Sequence, residues 1–352
     1  MKKIKALSLF SGGLDSILAT RVVMEQGLEV EAIQFVTPFF NYDVLYDIEA
    51  HKKRILAKYG IKVIVEDIST GYLQLLHSPI HGFGKNFNPC IDCKIMMFSR
   101  AKELLVERGA SFLISGEVLG QRPMSQRRDT MNVIERDSGT KSILLRPLCA
   151  QLMKETEAEA QGWVDRKKLL AMSGRSRSPQ IALAKQYGIT DFPSPAGGCI
   201  LADPILSQRI AQLYSRESVV KTAEITVPDI RVLLVGRQFI LPGGGWLILG
   251  RDEKDNNRLE QMSQPEDAVL RMEEWPGPLG VLKKAGSQYL DQEKLEKDIE
   301  LAASLVVRYG KKMPAVNGTP SKGDVTCILN ATRRVITAAP LADHVFQEWS
   351  LH

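Results

Sequence analysis

The 352-residue sequence predicts a parallel β-sheet with helices on both faces, followed by a smaller α+β domain. Three observations predict it. Short β-branched runs alternate with helical repeats through the first half. A glycine-rich turn joins the first of these runs to the first helical repeat. Beyond about residue 215 the alternation stops, and two apolar runs flank a glycine turn instead.

Taken in order, Ile4–Phe10 is a short apolar run bounded by Ser11-Gly12-Gly13 and reads as a first strand. Ser16–Gly27 has helical apolar spacing and stops at a glycine. Glu29–Val36 is a second strand, Val44–Gly60 a helix with its own glycine stop, and Lys62–Ile68 a third strand. Past the segment NPCIDC, Ile95–Gly109 is helical and Ser111–Gly116 is a strand. Sheets of this kind bind ligands at the carboxyl ends of their strands. Asp203–Arg216 reads as the last helix of a first domain, 1–215. Glu224–Gln261 is strand-rich and opens a second domain, 216–352.

Hydrophobic content of 44%, charged content of 25% and a formal charge of +5 are ordinary for a globular protein, and they permit a nucleotide or RNA partner. No apolar run is long enough for a bilayer, and the opening MKKIKALSLFSGG is too short in apolar residues for a signal peptide. No membrane partner is expected. Five scattered cysteines do not form a disulfide framework, so a reducing cytoplasm is the expected location.

The turn after the first strand is Ser11-Gly12-Gly13-Leu14-Asp15-Ser16. Glycines let the backbone turn tightly with its N–H groups inward, and the helix N-terminus adds partial positive charge. The serine hydroxyls add donors, while Asp15 can cap the helix or hold magnesium. This is a cradle for phosphate; the plainer reading is a glycine turn with a capping aspartate. The six residues resemble the S-G-G-x-D-S loop of the PP-loop ATP pyrophosphatases, whose fold is the adenine nucleotide alpha-hydrolase type. Members cleave ATP between its α and β phosphates and transfer AMP to a substrate oxygen. The resemblance implies ATP bound by Ser11, Gly12, Gly13, Asp15 and Ser16, with adenine near Gln34 and Phe35 at the end of the second strand. No Walker lysine is present, which disfavours γ-phosphoryl transfer.

Three further segments resemble one branch of that family, the tRNA thiolation enzymes. Gly116, Glu117, Leu119, Gly120, Gln121, Ser125 and Gln126 match the G-E-S-L-G-Q-x-x-S-Q segment of 4-thiouridine synthetases, which adds Gly116 and Gln121 to the ATP site. Leu144–Glu157 resembles their L-R-P-L segment and the lysine–glutamate pair after it. NPCIDC and Gly197-Gly198-Cys199 stand where thiolation enzymes carry cysteines. Those synthetases place a THUMP domain before the loop, whereas this sequence begins at the loop's own strand.

Alone, Cys90 and Cys93 fit a redox couple, half of a zinc site or part of an iron–sulfur site. Zinc needs a fourth ligand, and His77 and His81 sit in a proline-containing loop. With Cys199 counted, three thiolates can hold three irons of a [4Fe–4S] cluster and leave the fourth open for sulfide, as in a subset of tRNA thiolases. The cluster-free alternative makes Cys93 or Cys199 a persulfide carrier. Cys149 and Cys327 lack metal-like spacing and read as buried thiols.

Arg122, Arg127 and Arg128, with Arg175 and Arg177, put basic residues near the predicted active face, suited to a phosphate backbone or to plain solvated surface. In the second domain, Gly250, Arg251, Asn256 or Asn257, and Leu259 resemble the G-R-x-x-x-x-N-x-x-L segment of NFACT-R-like RNA-binding domains. That domain is expected to read RNA. The combined expectation is an ATP-dependent tRNA sulfurtransferase in which Asp15, Cys93 and Cys199 act in catalysis. Its expected cofactors are ATP, magnesium and a [4Fe–4S] cluster. Its partners are tRNA and a sulfur donor, either sulfide or a cysteine desulfurase-type persulfide. The rivals are another PP-loop ATP pyrophosphatase and a non-catalytic RNA-binding protein.

Overall fold

The computed structural model describes residues 4–194, 198–215, 225–311 and 321–351, which divide into two compact units, Met1–Ala202 and Asp203–His352. Gly197 and the stretch 216–224 lie outside the described residues.

In the first unit the chain runs β1 (Lys5–Leu9), α1 (Leu14–Met24), β2 (Glu29–Val36), α2 (Ile48–Tyr59), β3 (Lys62–Asp67), α3 (Ser69–His77) and α4 (Cys90–Glu107). It continues with β4 (Phe112–Ser115), α5 (Arg128–Asp137), β5 (Leu144–Leu145), α6 (Glu157–Ala160) and α7 (Ser178–Gln186). The strands form one sheet in the order β3-β2-β1-β4-β5, and every pairing is parallel. Strand residues point alternately to the two faces, and the two cores follow that alternation. Ala6, Val30, Ala32, Phe112 and Ile114 pack with Ile17 and Leu18 of α1, Ile55 of α2 and Ala184 of α7. Leu7, Ile33, Phe35 and Leu113 pack with Phe98, Ala101 and Leu104 of α4 and Ile134 of α5. Helix α1 is buried on nearly all sides, from Leu14 to Val23, as its mostly apolar sequence dictates.

Two boundaries differ from the sequence reading. The helix expected from Val44 begins at Ile48, after a 3₁₀ turn at Tyr42–Tyr46, because the Asp47 side chain accepts from Ala50 N and caps it there. The helix expected from Ile95 begins at Cys90, directly after Pro89, so both cysteines lie on its first turns.

The second unit comprises α8 (Pro204–Leu213), α9 (Val227–Val232), β6 (Arg237–Ile240), β7 (Trp246–Leu249), α10 (Glu253–Met262), β8 (Ala268–Met272) and β9 (Gly280–Leu282). Then come α11 (Ala285–Gln288), α12 (Gln292–Tyr309), β10 (Gly323–Leu329), β11 (Thr332–Ala338), α13 (Asp343–Phe346) and β12 (Ser350–Leu351). Its sheet is antiparallel throughout, in the order β11-β10-β8-β9-β7-β6-β12. Helix α12 lays Leu295, Ile299, Ala302, Ala303 and Val306 onto it. Asp298 of α12 clamps the β6–β7 turn by accepting from Gly243 N and Gly245 N, both at 2.9 Å, and from the Tyr289 hydroxyl at 2.5 Å. Gly244, at φ +97°, makes the turn possible. Only β6 and β7 are strands within the stretch read as strand-rich; α9 and α10 flank them. The helix read as the end of the first domain is α8, and it belongs to the second unit. Its Arg209 donates to Leu233 O at 2.8 Å, Gly236 O at 3.2 Å and Leu351 O at 3.4 Å.

Candidate functional site

The loop Ser11–Ser16 leaves the carboxyl end of β1, the central strand, and runs into α1. Gly12 takes φ +77°, a conformation that suits glycine. Gly13 is the N-cap: its carbonyl accepts from Ser16 N at 3.0 Å and Ile17 N at 3.1 Å, and with no side chain it caps neither Leu14 N nor Asp15 N. The Ser16 hydroxyl donates to Gly13 O at 2.7 Å, and Ser11 N and Oγ each lie 3.3 Å from Ser16 Oγ. The loop is therefore braced by its own serines. Gly116, just past β4, comes so close that a Cβ there would lie 2.7 Å from the backbone of Asp15 and Ser16.

Asp15 accepts from Gln121 Nε2 at 2.7 Å, and Arg177 Nη2 stands 3.8 Å from the same oxygen. Gln180 Nε2 in turn donates to Gln121 Oε1 at 3.0 Å. The other oxygen, Asp15 Oδ1, is buried without a hydrogen-bond partner. A buried carboxylate oxygen with no donor suits a divalent cation. Arg177, read from the sequence as a phosphate-backbone contact, thus stands beside Asp15. No local signal in the sequence pairs it with Asp15.

Gln34 and Phe35 are adjacent in β2 and so face opposite sides of the sheet. Gln34 Oε1 is 2.8 Å from His51 Nε2, and Arg54 Nη2 is 2.8 Å from His51 Nδ1. Burial, then Arg54, holds His51 below its ordinary 6.5. The Phe35 ring is buried in the core on the α4 face, and Phe35 O accepts from Asn41 Nδ2 at 3.0 Å. What this pair shares at the sheet edge is backbone, not side chains.

The cysteines come from two segments. Cys90 and Cys93 open α4, and Cys199 precedes a 3₁₀ turn at Ile200–Ala202; all three are partly buried free thiols. Burial pushes the Cys93 thiol up to about 12; a hydrogen bond from the Tyr72 hydroxyl opposes this, and Cys90 and Cys199 reinforce it. Burial also raises Cys199, Cys90 adds to the rise, and Arg122 pulls the other way. The three thiols therefore share one electrostatic environment. Among the described residues, no three His, Cys, Asp or Glu side chains are arranged to close on a metal ion. The chemistry of the donor set, three neighbouring thiols, is nevertheless that of an iron–sulfur ligand set. Cys149 and Cys327 are buried, and Cys149 Sγ donates to Glu117 O at 3.4 Å.

One segment, Gly116–Arg122, joins the two halves of the site. Gly116 and Gln121 touch Asp15, and the charge of Arg122 bears on the Cys199 thiol. Glu117 pairs with Lys94, next to Cys93, and accepts from Arg146 Nε at 2.8 Å. Arg146 also pairs with Glu135. Burial pushes the Glu117 pKa up, but Lys94 and Arg146 outweigh it and leave the carboxyl at about 2. Glu117 matched a motif in the sequence, but this buried charge network was not legible there.

The remaining predicted residues are dispersed. Arg127 pairs with Asp129 at 2.9 Å on the surface. Arg128 donates to Leu152 O at 3.1 Å. With Arg146 and the Lys154–Glu155 pair it lines a separate cavity of about 780 Å³ beside β5. In the second unit, Arg251 Nε donates to Asp255 Oδ2 at 2.6 Å, and the Arg251 side chain stays half exposed. Asn256, rather than Asn257, locks the motif: its Oδ1 abuts Gly250 and accepts from Leu279 N at 2.9 Å, while Leu259 is buried. No described helix is long and apolar enough to cross a membrane.

Residues 2–161 match the family model of the thiamine biosynthesis protein ThiI, and residues 236–350 match that of the NFACT protein RNA binding domain. The chain thus joins a segment similar to ThiI to one similar to an NFACT RNA-binding domain. It is 30% identical over 123 residues to a probable tRNA sulfurtransferase of Thermoanaerobacter sp. (strain X514), covering 33% of this chain and 30% of that one. It is 30% identical over 153 residues to a probable tRNA sulfurtransferase of Halothermothrix orenii, covering 44% of this chain and 37% of that one. The chain therefore spans about a third of the length of these relatives. Among solved structures, a 4-thiouridine synthetase–RNA complex with bound ATP aligns at TM-score 0.39 and 22% identity, over 65% of this chain and 52% of that one. The U34-tRNA thiolase NcsA from Methanococcus maripaludis, with its [4Fe-4S] cluster, aligns at TM-score 0.33 and 18% identity, over 64% and 75%.

Proposed function

We propose that this chain is an ATP-dependent tRNA sulfurtransferase working in a reducing cytoplasm. ATP lies with its β and γ phosphates on Gly12, Gly13 and Ser16, at the amide end of α1. The free oxygen of Asp15 suits magnesium, and Gln121 and Arg177 hold that carboxylate in place. A uridine carbonyl oxygen attacks the α phosphate, pyrophosphate departs, and AMP is left on the base. Sulfur then attacks the ring carbon, and AMP leaves with the oxygen. Adenylation converts a poor leaving group into a good one.

For sulfur delivery we favour the three cysteines as ligands. When bound, a [4Fe–4S] cluster on Cys90, Cys93 and Cys199 supplies an open iron for a sulfide nucleophile. The rival is a persulfide on Cys93 or Cys199: its outer sulfur bonds the ring carbon as AMP leaves, the other cysteine thiolate then breaks the S–S bond, and a thiol reductant reduces the resulting disulfide. Tyr72 orients the Cys93 sulfur in either case, and Arg122 offers Cys199 a positive neighbour. The second unit, with Arg251 half exposed, reads the RNA, while Arg122, Arg127 and Arg128 contact its backbone.

The observation that carries this reading is the Gly116–Arg122 segment, which meets the phosphate loop through Gly116 and Gln121 and pairs through Glu117 with Lys94, next to Cys93. Nucleotide activation and sulfur chemistry need that proximity. The test is tRNA-dependent pyrophosphate release, with mass spectrometry of the product nucleosides. A thionucleoside formed only with ATP supports the reading, and pyrophosphate release without sulfur incorporation refutes it in favour of another ligase. Iron and sulfide assays on anaerobically purified protein separate the delivery routes. A colourless, fully active protein sinks the cluster. Iron retained at full occupancy after Cys90→Ser removes Cys90 from the proposed ligand set.

A further inference from the structure

The segment between α3 and α4, residues 78–89, carries a feature that the proposed chemistry has not used. It exposes Phe83, 40% accessible, and packs it against Phe87 in a tilted pair with ring centroids 4.4 Å apart at 44°. Lys85, midway between the two phenylalanines in the chain, is exposed. An aromatic face open to solvent is a surface on which a planar ring can stack.

This loop is not a loose connection. His81 N donates to Asp92 Oδ2 at 2.9 Å, which ties it to the helix bearing Cys90 and Cys93. Asn86 Nδ2 donates to Ala202 O at 2.7 Å, which ties it to the turn after Cys199. Gly84 lies against Met124 with no room for a Cβ, and Asn88 Nδ2 is 4.0 Å from Met124 Sδ, which ties it to the segment bearing Gln121 and Arg122. Each strap ends on a segment that supplies a residue of the candidate site. Asn86 adopts φ +56° to make the turn. Ile200, which follows Cys199 in the chain, is also 44% exposed.

We propose that Phe83, backed by Phe87, is the platform on which the target pyrimidine of the RNA stacks once it has left its own stack. The inference rests on the sulfurtransferase reading, because a uridine can present its carbonyl to ATP and to sulfur only when unstacked. An aromatic face binds any base without hydrogen-bond readout, so Phe83 holds the ring and leaves its carbonyl edges free to react. The exposed cations Lys85, in the same loop, and Arg122, on the segment to which Gly84 is strapped, meet the neighbouring phosphates. Phe83 is on this account a positioning residue that binds the base but transfers nothing.

The test measures kcat/KM for tRNA and KM for ATP in the full chain, by pyrophosphate release, for Phe83→Ala, Phe83→Leu, Phe83→Tyr and Phe83→Trp. Stacking on one base corresponds to about a tenfold effect. Alanine and leucine are expected to lower kcat/KM for tRNA about tenfold with KM for ATP unchanged, while tyrosine and tryptophan hold wild-type values within about twofold. Photocrosslinking of a 5-bromouridine-substituted tRNA transcript should mark the peptide spanning Ser78–Pro89 in the wild type and lose it in Phe83→Ala. Leucine behaving like tryptophan, or alanine leaving kcat/KM unchanged in an enzyme that still thiolates, overturns the platform and spares the sulfurtransferase reading. A wild-type protein that releases no pyrophosphate with tRNA overturns both.

Discussion

Glu117→Gln is the most informative single substitution in the first unit. Glu117 is buried between Lys94 and Arg146, with side-chain exposures of 5%, 17% and 3% respectively. Its carboxyl sits at about 2 in the fold against an ordinary 4.5. At ~1.4 kcal/mol per pH unit that gap corresponds to about 3 kcal/mol of stability. Because the folded pKa is the lower one, this stability is fully present above pH 4.5 and drains away as pH falls toward 2. Glutamine keeps the shape and removes the charge. Lys94 can turn partly to water, but Arg146 cannot, and its Nη2 already lacks a partner. The loss at pH 7 should therefore reach about 3 kcal/mol, within the range for a buried pair broken on one side. Lys94→Met added to Glu117→Gln should recover part of it, since one unpaired cation is then gone. Urea titration read by pulsed hydrogen exchange of peptides covering β1 and β4 isolates this unit from the second. A Glu117→Gln protein as stable as wild type at pH 7, or one whose deficit is undiminished at about pH 3, would refute the reasoning.

Four further outcomes are expected. Gly116→Ala drives a Cβ to 2.7 Å from the Asp15 and Ser16 backbone, so it should cost about 1–3 kcal/mol and weaken ATP binding; calorimetry showing unaltered affinity contradicts the packing argument. Asp298→Asn weakens the acceptor for two glycine amides and the Tyr289 hydroxyl, so the second unit should lose about 2 kcal/mol while peptides of the first keep their exchange rates. His51 is held below 6.5 by burial and Arg54; the unfolded chain takes up the proton more readily, so stability of the first unit should fall as pH drops below 6.5, and His51→Gln should flatten that limb in thermal melts. Tyr72→Phe removes the hydrogen bond to Cys93 and should slow sulfur incorporation more than tRNA-dependent pyrophosphate release; equal loss of both would place Tyr72 in the fold rather than at the sulfur.

The features that were legible in the sequence are those written locally. The glycines of the Ser11–Ser16 loop, the β-branched runs and the glycine stops each act within a few residues, and the parallel strands β1 to β4 follow from them; β5, only Leu144–Leu145, lies in a segment read as a motif and not as a strand. The start of α4 carries a local signal, Asp92 in its first turn, which the helix expected from Ile95 leaves out. What was not legible depends on partners far apart in the chain. Arg177 meets Asp15 across 162 positions, and Glu117 collects Lys94 and Arg146 from two different elements. Helix α8 has an unremarkable sequence for either domain; what assigns it is Arg209 reaching Leu351, 142 positions away. The same physics explains why Gln34 and Phe35, neighbours in the sequence, part company in the fold. A motif names which residues approach a ligand, but the pleat of β2 sends one side chain to His51 and the other into the core. Only the backbone between them remains at the sheet edge, so specificity for adenine would have to come from amide and carbonyl groups there. Substitution of Gln34 should therefore act on the fold through His51, and on nucleotide choice little or not at all.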